Sequence, residues 1–394
     1  MSPDAAEPIS RLHRLLDAAP PYALVDETAR FLAAELRATD VALLLADYSG
    51  TTLERLPAGA GPDEVESVRV SGSAAGEVHI TQRLVVAAGP TPRSSWIGAP
   101  VSVRSDRLGV LEAVLADPVQ DGALALFGEA AHVLGSSILA AQSYTDLFHR
   151  VRRRQELTLA AELQWQLLPV LACQGADFAL AGALEPAYDM GGDSFDYAID
   201  ADRLSIAILD GMGHGLSAAL LATVALASIR NARIWGYELA EQARSASHAL
   251  LDQYGGDQFV TALLIEVDRP GGEVRIVNAG HPPPVLIRGG RSESLVVPPG
   301  YPLGLWPDHE YQVHHFSLSS GDRLVLISDG VVEATPSGGE PYGLDRLAGL
   351  LSGDLTARPP TDVARAVAQA VLDHRADVLR DDTTTVCLDW LGKA

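Results

Sequence analysis

The chain has 394 residues, 47% hydrophobic and 20% charged, with a formal net charge of −22. That length suits two domains, and so much apolar material excludes a disordered chain. The negative balance argues against unaided binding of nucleic acid and against docking on an anionic membrane, since both need a basic surface. Cys173 and Cys387 lie far apart with no CxxC, which suits a reducing cytoplasm and gives neither a disulfide framework nor a thiolate metal site. The N-terminal MSPDAAEPIS lacks a basic segment followed by an apolar one, so no secretory signal is expected. The longest apolar helical run, Leu216–Ile229, reads as too short to span a bilayer.

The first segment, residues 1–142, opens with Leu12, Leu15, Leu16, Phe31, Leu32 and Leu36 at helical spacing. Strand-like runs follow at Val41–Asp47, Leu84–Ala88, Trp96–Val103 and Leu108–Ala116, punctuated by Gly, Pro and Ser. A closing helix over Leu124–Gln142 would complete an α/β/α sandwich. Residues 143–169 contain no Gly, and their only Pro is Pro169 at the end; they predict one continuous linker helix. Leu147, Val151, Ala160, Leu163 and Leu167 form a partial apolar stripe there, on which a homodimer could pair. The nearby Arg150, Arg152, Arg153 and Arg154 read as a solvated helix face.

Residues 170–394 alternate strands with helix pairs, a pattern of α+β layering. Strands are predicted at Phe178–Pro186, Leu204–Leu209, Gln258–Val267, Val274–Asn278, Val285–Ile287, Tyr311–Leu318, Arg323–Ile327 and Thr384–Trp390. Helices are predicted at Leu216–Ala232, Tyr237–Tyr254, Leu344–Leu351 and Thr361–Val378.

Four acidic motifs punctuate this segment: Gly191-Gly192-Asp193, Asp210-Gly211, Ser328-Asp329-Gly330 and Asp381-Asp382. The last three sit at the edges of apolar, strand-like runs. Their separation is too wide for any one local element, so they can meet only through folding. Carboxylates gathered at strand ends beside glycines suit hard divalent cations, which prefer oxygen ligands. Adjacent carboxylates such as Asp381 and Asp382 also repel unless a cation or proton lies between them. Taken singly, each motif has a plainer reading: Asp210 as a helix cap, or Asp329-Gly330 as an ordinary turn.

In their order, GGDSFD, LDGMGHG, FVTALL, NAGHPPP, YPLGL, SDGVVEA and DDTTTV resemble the SpoIIE-type phosphatases of the PPM, or type-2C-like, metal-dependent serine/threonine class. LQWQLLP (163–169) is similar to the helix leading into such domains, and GAPVSVRSDRLGVLEAV resembles part of a GAF domain. The resemblance implies a GAF-like sensor over 1–142, a helical linker over 143–169 and a phosphatase domain over 170–394. The phosphatase domain would be an α/β/β/α sandwich of two antiparallel sheets flanked by helices. It implies two Mn²⁺ or Mg²⁺ ions, with Asp210 bridging them and the Gly211 carbonyl completing one coordination sphere. Asp329 and Asp381 would be further ligands, with Asp382 the register alternative, and Asp193 would lie in or beside the ligand set. Asp196 and Glu333 are expected to be structural.

The implied activity is hydrolysis of phosphoserine or phosphothreonine by a metal-bridging hydroxide, without a protein nucleophile. The implied substrate is a phosphorylated STAS-domain anti-anti-sigma factor, met in the cytoplasm. No arginine stands beside the first motif to grip the substrate phosphate. The rival reading is a catalytically silent signalling module on the same fold. GGDSF lacks the second acid of the GGDEF signature, and no HExxH, GxSxG or P-loop pattern is present. His214, His281, His79 and His132 read as ordinary polar residues.

Overall fold

The structure, a computed structural model, describes residues 3–116, 119–189, 191–336, 339–353, 355–375 and 382–392. Its backbone divides into two compact units, Met1–Glu156 and Leu157–Ala394.

In the first unit, α1 (Pro3–Ala18) and α2 (Leu24–Leu36) precede β1 (Thr39–Ala46), β2 (Thr52–Pro57), β3 (Glu66–Arg69), α3 (Ala74–Thr81), β4 (Val85–Ala88), β5 (Ser94–Val103), β6 (Asp106–Ala116), α4 (Asp121–Ala141) and α5 (Leu147–Arg152). The six strands form one antiparallel sheet in the order β3-β2-β1-β6-β5-β4. Alternation along β1 sends Leu43 and Leu45 toward α1, α2, α4 and α5, and Leu44 and Ala46 toward α3. The expected α/β/α layering follows. β2, β3 and α3 are additions to the predicted elements. β2 escapes a pattern reading because its centre is Glu54-Arg55. Glu54 is only 4% exposed, yet it accepts hydrogen bonds from the Thr52 and Ser67 hydroxyls at 2.7 and 2.6 Å, and Arg55 pairs with Glu112 and Asp40. Charge is tolerated inside because each group is matched.

The continuous helix expected over 143–169 is broken. Its first part is α5, in the first unit, and its second part is α6 (Leu159–Leu167), in the second. The break falls where Arg153 turns to extended backbone and Thr158 caps a new helix, its hydroxyl accepting from Ala161 N at 3.2 Å. The single apolar stripe of the sequence is thereby divided between two short helices.

The second unit continues with β7 (Ala172–Gln174), β8 (Phe178–Glu185), β9 (Asp193–Ile199), β10 (Arg203–Gly211), α7 (Gly215–Ile234), α8 (Leu239–Tyr254), β11 (Val260–Asp268), β12 (Glu273–Ala279), β13 (Val285–Arg288), β14 (Arg291–Ser294), β15 (His314–Ser317), β16 (Asp322–Ile327), α9 (Asp329–Val332), α10 (Gly343–Leu351), α11 (Pro360–Arg375) and β17 (Thr383–Trp390). Two antiparallel sheets result, in the orders β15-β12-β11-β10-β9 and β14-β13-β16-β17-β8-β7. Their inner faces pack together through Phe195, Ile206, Ile208, Leu263 and Ile265 from one sheet, and Leu180, Leu324, Leu326, Val386 and Leu388 from the other. The opposite parity points outward: Ala207, Leu209 and Leu264 lie beneath α7 and α8, and Val325, Ile327 and Cys387 beneath α9, α10 and α11. This is a four-layer α/β/β/α sandwich, as expected.

α4 and α7 prove long and apolar enough to cross a membrane by length and composition, contrary to the sequence reading of Leu216–Ile229. Both contribute a buried face to the hydrophobic layers of their own units.

Gly182 on β8 marks how closely the sheets approach: a Cβ there would fall 2.2 Å from the Phe195 ring. Gly182→Ala should lower stability by on the order of 2 kcal/mol, as overpacking does. Gly349→Ala, on the exposed side of α10 with nothing within 4 Å of a new Cβ, should be neutral or raise stability by up to about 1 kcal/mol. Urea midpoints of the two variants check the contrast.

Candidate metal centre

Strand parity builds this site. Along β10, Leu204, Ile206 and Ile208 face the inter-sheet core, and the next position of that parity is Asp210. On β9 the residue sharing parity with Phe195 is Asp193, and on β11 the one sharing parity with Leu263 is Thr261. Asp193 pairs with Asp210, and Asp210 with Thr261, so the three form one rung across the sheet. In the facing sheet, continuing the parity of Leu326 and Val386 past the apolar core reaches Ser328, Thr384 and Asp382. The polar ends of both inner faces therefore meet at one mouth of the sandwich. Asp193 opens β9, a strand absent from the sequence reading because its start, Asp-Ser-Phe-Asp, is polar but for Phe195.

Backbone packing draws the four motifs tight. Gly191 N and Asp193 N donate to Asp382 Oδ2 at 2.5 and 3.3 Å. Gly211 N donates to the Gly192 carbonyl at 3.0 Å. A Cβ at Gly192 would lie 2.2 Å from the Gly211 oxygen, and one at Gly330 would lie 1.8 Å from the Asp382 carbonyl. Only glycine permits these approaches. Ser328 N donates to the Thr384 carbonyl at 3.0 Å, and Thr384 N donates to Ser328 Oγ at 2.9 Å, which fixes the Asp329 corner against the start of β17. Asp329 itself begins the single turn of α9 and is half-buried. Asp210 does not cap α7; His214, four residues on, holds that position.

Asp193 is 2% exposed and Asp382 6%, while Asp210 is half-buried. Burial raises the Asp193 carboxyl well above the usual range, the Asp210 and Asp382 charges raise it further, and the Ser328 and Thr384 hydroxyls oppose the shift. Its Oδ2 has no hydrogen-bond partner. Asp382, expected only as the alternative to Asp381, is the member of that pair found beside Asp193; Asp381 lies outside the described residues. Among the described residues no three His, Cys, Asp or Glu side chains form a group that could hold an ion. Asp196 has the opposite parity and pairs with Arg230 and Arg233 of α7 at 2.7 and 2.9 Å, a structural place. Glu333 is exposed.

Sequence reasoning missed three supporting residues. Gln164 of α6 is fully buried, and its Nε2 donates to the Asp193 carbonyl. Ser328 and Thr384 lie inside recognised motifs, but nothing in their spacing shows that they converge on Asp193.

A four-layer sandwich with carboxylates at one mouth is the architecture that the resemblance to PPM phosphatases implies. Residues 200–391, most of the C-terminal unit, match the family model for stage II sporulation protein E (SpoIIE). Phosphoserine phosphatase RsbP of Bacillus subtilis is 29% identical over 196 residues, covering 48% of this chain and 48% of its own. Phosphoserine phosphatase RsbU of the same organism is 24% identical over 187 residues, covering 47% and 56%. The chain thus spans about half the length of the curated relatives it matches. Among solved structures, the SiaA-PP2C domain of Pseudomonas aeruginosa superposes with a TM-score of 0.50 at 22% identity, covering 59% of this chain and 94% of that one.

Because the folded pKa of Asp193 exceeds its unfolded value, its contribution to stability is fully present below the ordinary carboxylate pKa and is lost as pH rises through the raised value. The metal-free protein should lose on the order of 1.4 kcal/mol per pH unit across that window. Asp193→Asn should abolish this slope and melt higher than the parent in EDTA at pH 7.5, which thermal unfolding across pH will check.

Proposed function

We propose that this chain is a metal-dependent serine/threonine phosphoprotein phosphatase. The observation that carries the reading is the acidic rung at the mouth of the two sheets, where Asp193 and Asp210 meet Asp382. The residues present fit a divalent centre: every donor is oxygen, Asp193 Oδ2 is buried without a partner, and neighbouring carboxylates need positive charge between them. Asp193, Asp210, the Gly211 carbonyl, Asp329 and one or both of Asp381 and Asp382 would hold two Mn²⁺ or Mg²⁺ ions. Such ions supply an activated water near neutral pH and neutralise charge on the phosphoryl oxygens.

The chain's own residues do the rest. Gly191, Gly192 and Gly211 leave the mouth uncrowded by side chains. The Ser328 and Thr384 hydroxyls favour the charged form of Asp193, and the apolar layers behind it exclude bulk water, which strengthens every charge interaction in front. The reading needs no protein nucleophile.

Its substrate, on this reading, is a phosphorylated STAS-domain anti-anti-sigma factor in the cytoplasm, with residues 1–142 a GAF-like sensor. The expected domain boundaries, 143–169 for the linker and 170–394 for the phosphatase, stand as part of this proposal. Support for a sensor comes from the first unit's separate core and antiparallel sheet. A signal there would reach the site through α6, whose Gln164 holds the Asp193 backbone.

Phosphate release from a phosphoseryl protein with Mn²⁺ tests the activity. Asp210→Ala should lose roughly a hundredfold or more in rate, and equal rates would leave the silent-module reading standing. Deleting residues 1–140 should change the response to partners without abolishing phosphate release; an unchanged response would end the sensor model.

A further inference from the structure

The acidic rung does not stop at Asp210. Its next member, Thr261, is half-buried, and its Oγ1 lies 2.7 Å from Nδ1 of His281. His281 is 3% exposed, and its backbone is clamped on both sides by Asn278: Oδ1 accepts from His281 N at 2.8 Å, and Nδ2 donates to the His281 carbonyl at 3.1 Å. Gly280, at φ +75°, makes the turn that delivers the ring, and a Cβ there would strike Pro302 at 2.8 Å. The clamp ties the His281 backbone to the end of β12, the strand paired with β11, which carries Thr261.

Burial keeps the ring neutral, its pKa lowered to about 3. A neutral imidazole has one proton for two nitrogens. Besides Thr261, the polar group that bears on the ring is the backbone of Ile327, which favours a ring proton, and Nδ1 is already taken up by the Thr261 hydroxyl. Nε2 makes no hydrogen bond, so a proton answering the Ile327 backbone is assigned to Nε2. Nδ1 is then an acceptor, and the Thr261 hydroxyl must donate to it.

We propose that His281 is a positioning residue for the acidic site: it takes the hydroxyl proton of Thr261 and so leaves that oxygen to face its rung neighbours as an acceptor. A threonine free to rotate could donate to a neighbouring carboxylate and compete with a cation for it. Held by His281, Thr261 instead adds oxygen lone pairs to an all-oxygen donor set, for a cation or for water bound to one. This inference rests on the metal reading above, and its test separates the two.

¹⁵N NMR of histidine-labelled, metal-free full chain reads the tautomer directly. Protonation at Nε2, with an Nδ1 signal that shifts in Thr261→Val, is expected; a proton on Nδ1 would overturn the proposal. Calorimetric titration with Mn²⁺ supplies the second arm. Thr261→Val and His281→Phe should each weaken Mn²⁺ binding about tenfold, as loss of a supporting partner does. The double variant should be no worse than either alone, and Thr261→Ser should restore wild-type binding. Undiminished Mn²⁺ binding by a folded Thr261→Val overturns this proposal while leaving the metal reading intact. A wild-type chain that binds no Mn²⁺ at all overturns both.

Discussion

The second unit depends on one constraint, the period of two along a strand. Each inner face buries Leu, Ile, Val and Phe against the other sheet, and that packing fixes register, because a slip of one residue would turn the whole apolar set outward. Register, once fixed, decides where the acids go. Asp210 stands at the end of the run Leu204, Ile206 and Ile208, and shares their parity. It therefore faces inward at the level where the hydrophobic layer ends. Asp196, of the other parity on β9, meets arginines of α7 instead. Asp193 and Asp196, three residues apart on β9, receive different tasks from the same pleat.

Gathering carboxylates at such a place opposes folding. Asp193 is enclosed, faces two like charges and has an oxygen without a partner. The surrounding structure tolerates this because so much of the local backbone is tied down. Asp382 accepts two backbone N–H groups, Ser328 and Thr384 lock their strands together, and Gln164 grips the Asp193 carbonyl. The helical layer is tied in as well: Arg230 of α7 donates both to Asp196 and to the Leu167 carbonyl of α6. A displacement of α6 or α7 would therefore be felt at β9, where Asp193 begins. The site is stiff because its repulsion is opposed from several elements at once.

Much of this was legible without coordinates. The eight strands predicted after residue 170 are all present, and the acidic corners at Asp210 and Asp329 fall where apolar runs end. What escaped was polar or local in origin. β2 and β9 hide because charged and polar residues occupy positions whose partners, Glu112 for Arg55 and the α7 arginines for Asp196, lie far along the chain. The linker appeared continuous because no Gly or Pro interrupts it, yet the Thr158 cap starts a fresh helix. Gln164, inside a motif already noticed, gave no sign that it would bond to a residue 29 positions away.

The sequence by itself determined the class of fold and the chemical character of the site. Periodicity specifies which faces are apolar, and glycines mark where backbones must come close. Carboxylates at strand ends call for hard cations. Only the tertiary structure decided which of these groups meet. It brought Asp382 to Asp193 and made Asp210 and Thr261 neighbours on one rung. It also set His281 behind Thr261 and turned Asp196 away. The reason is that hydrophobic burial acts on whole faces and can be read from pattern. Hydrogen bonds and charge contacts act between single atoms, whose distances exist only once two sheets have closed on one another.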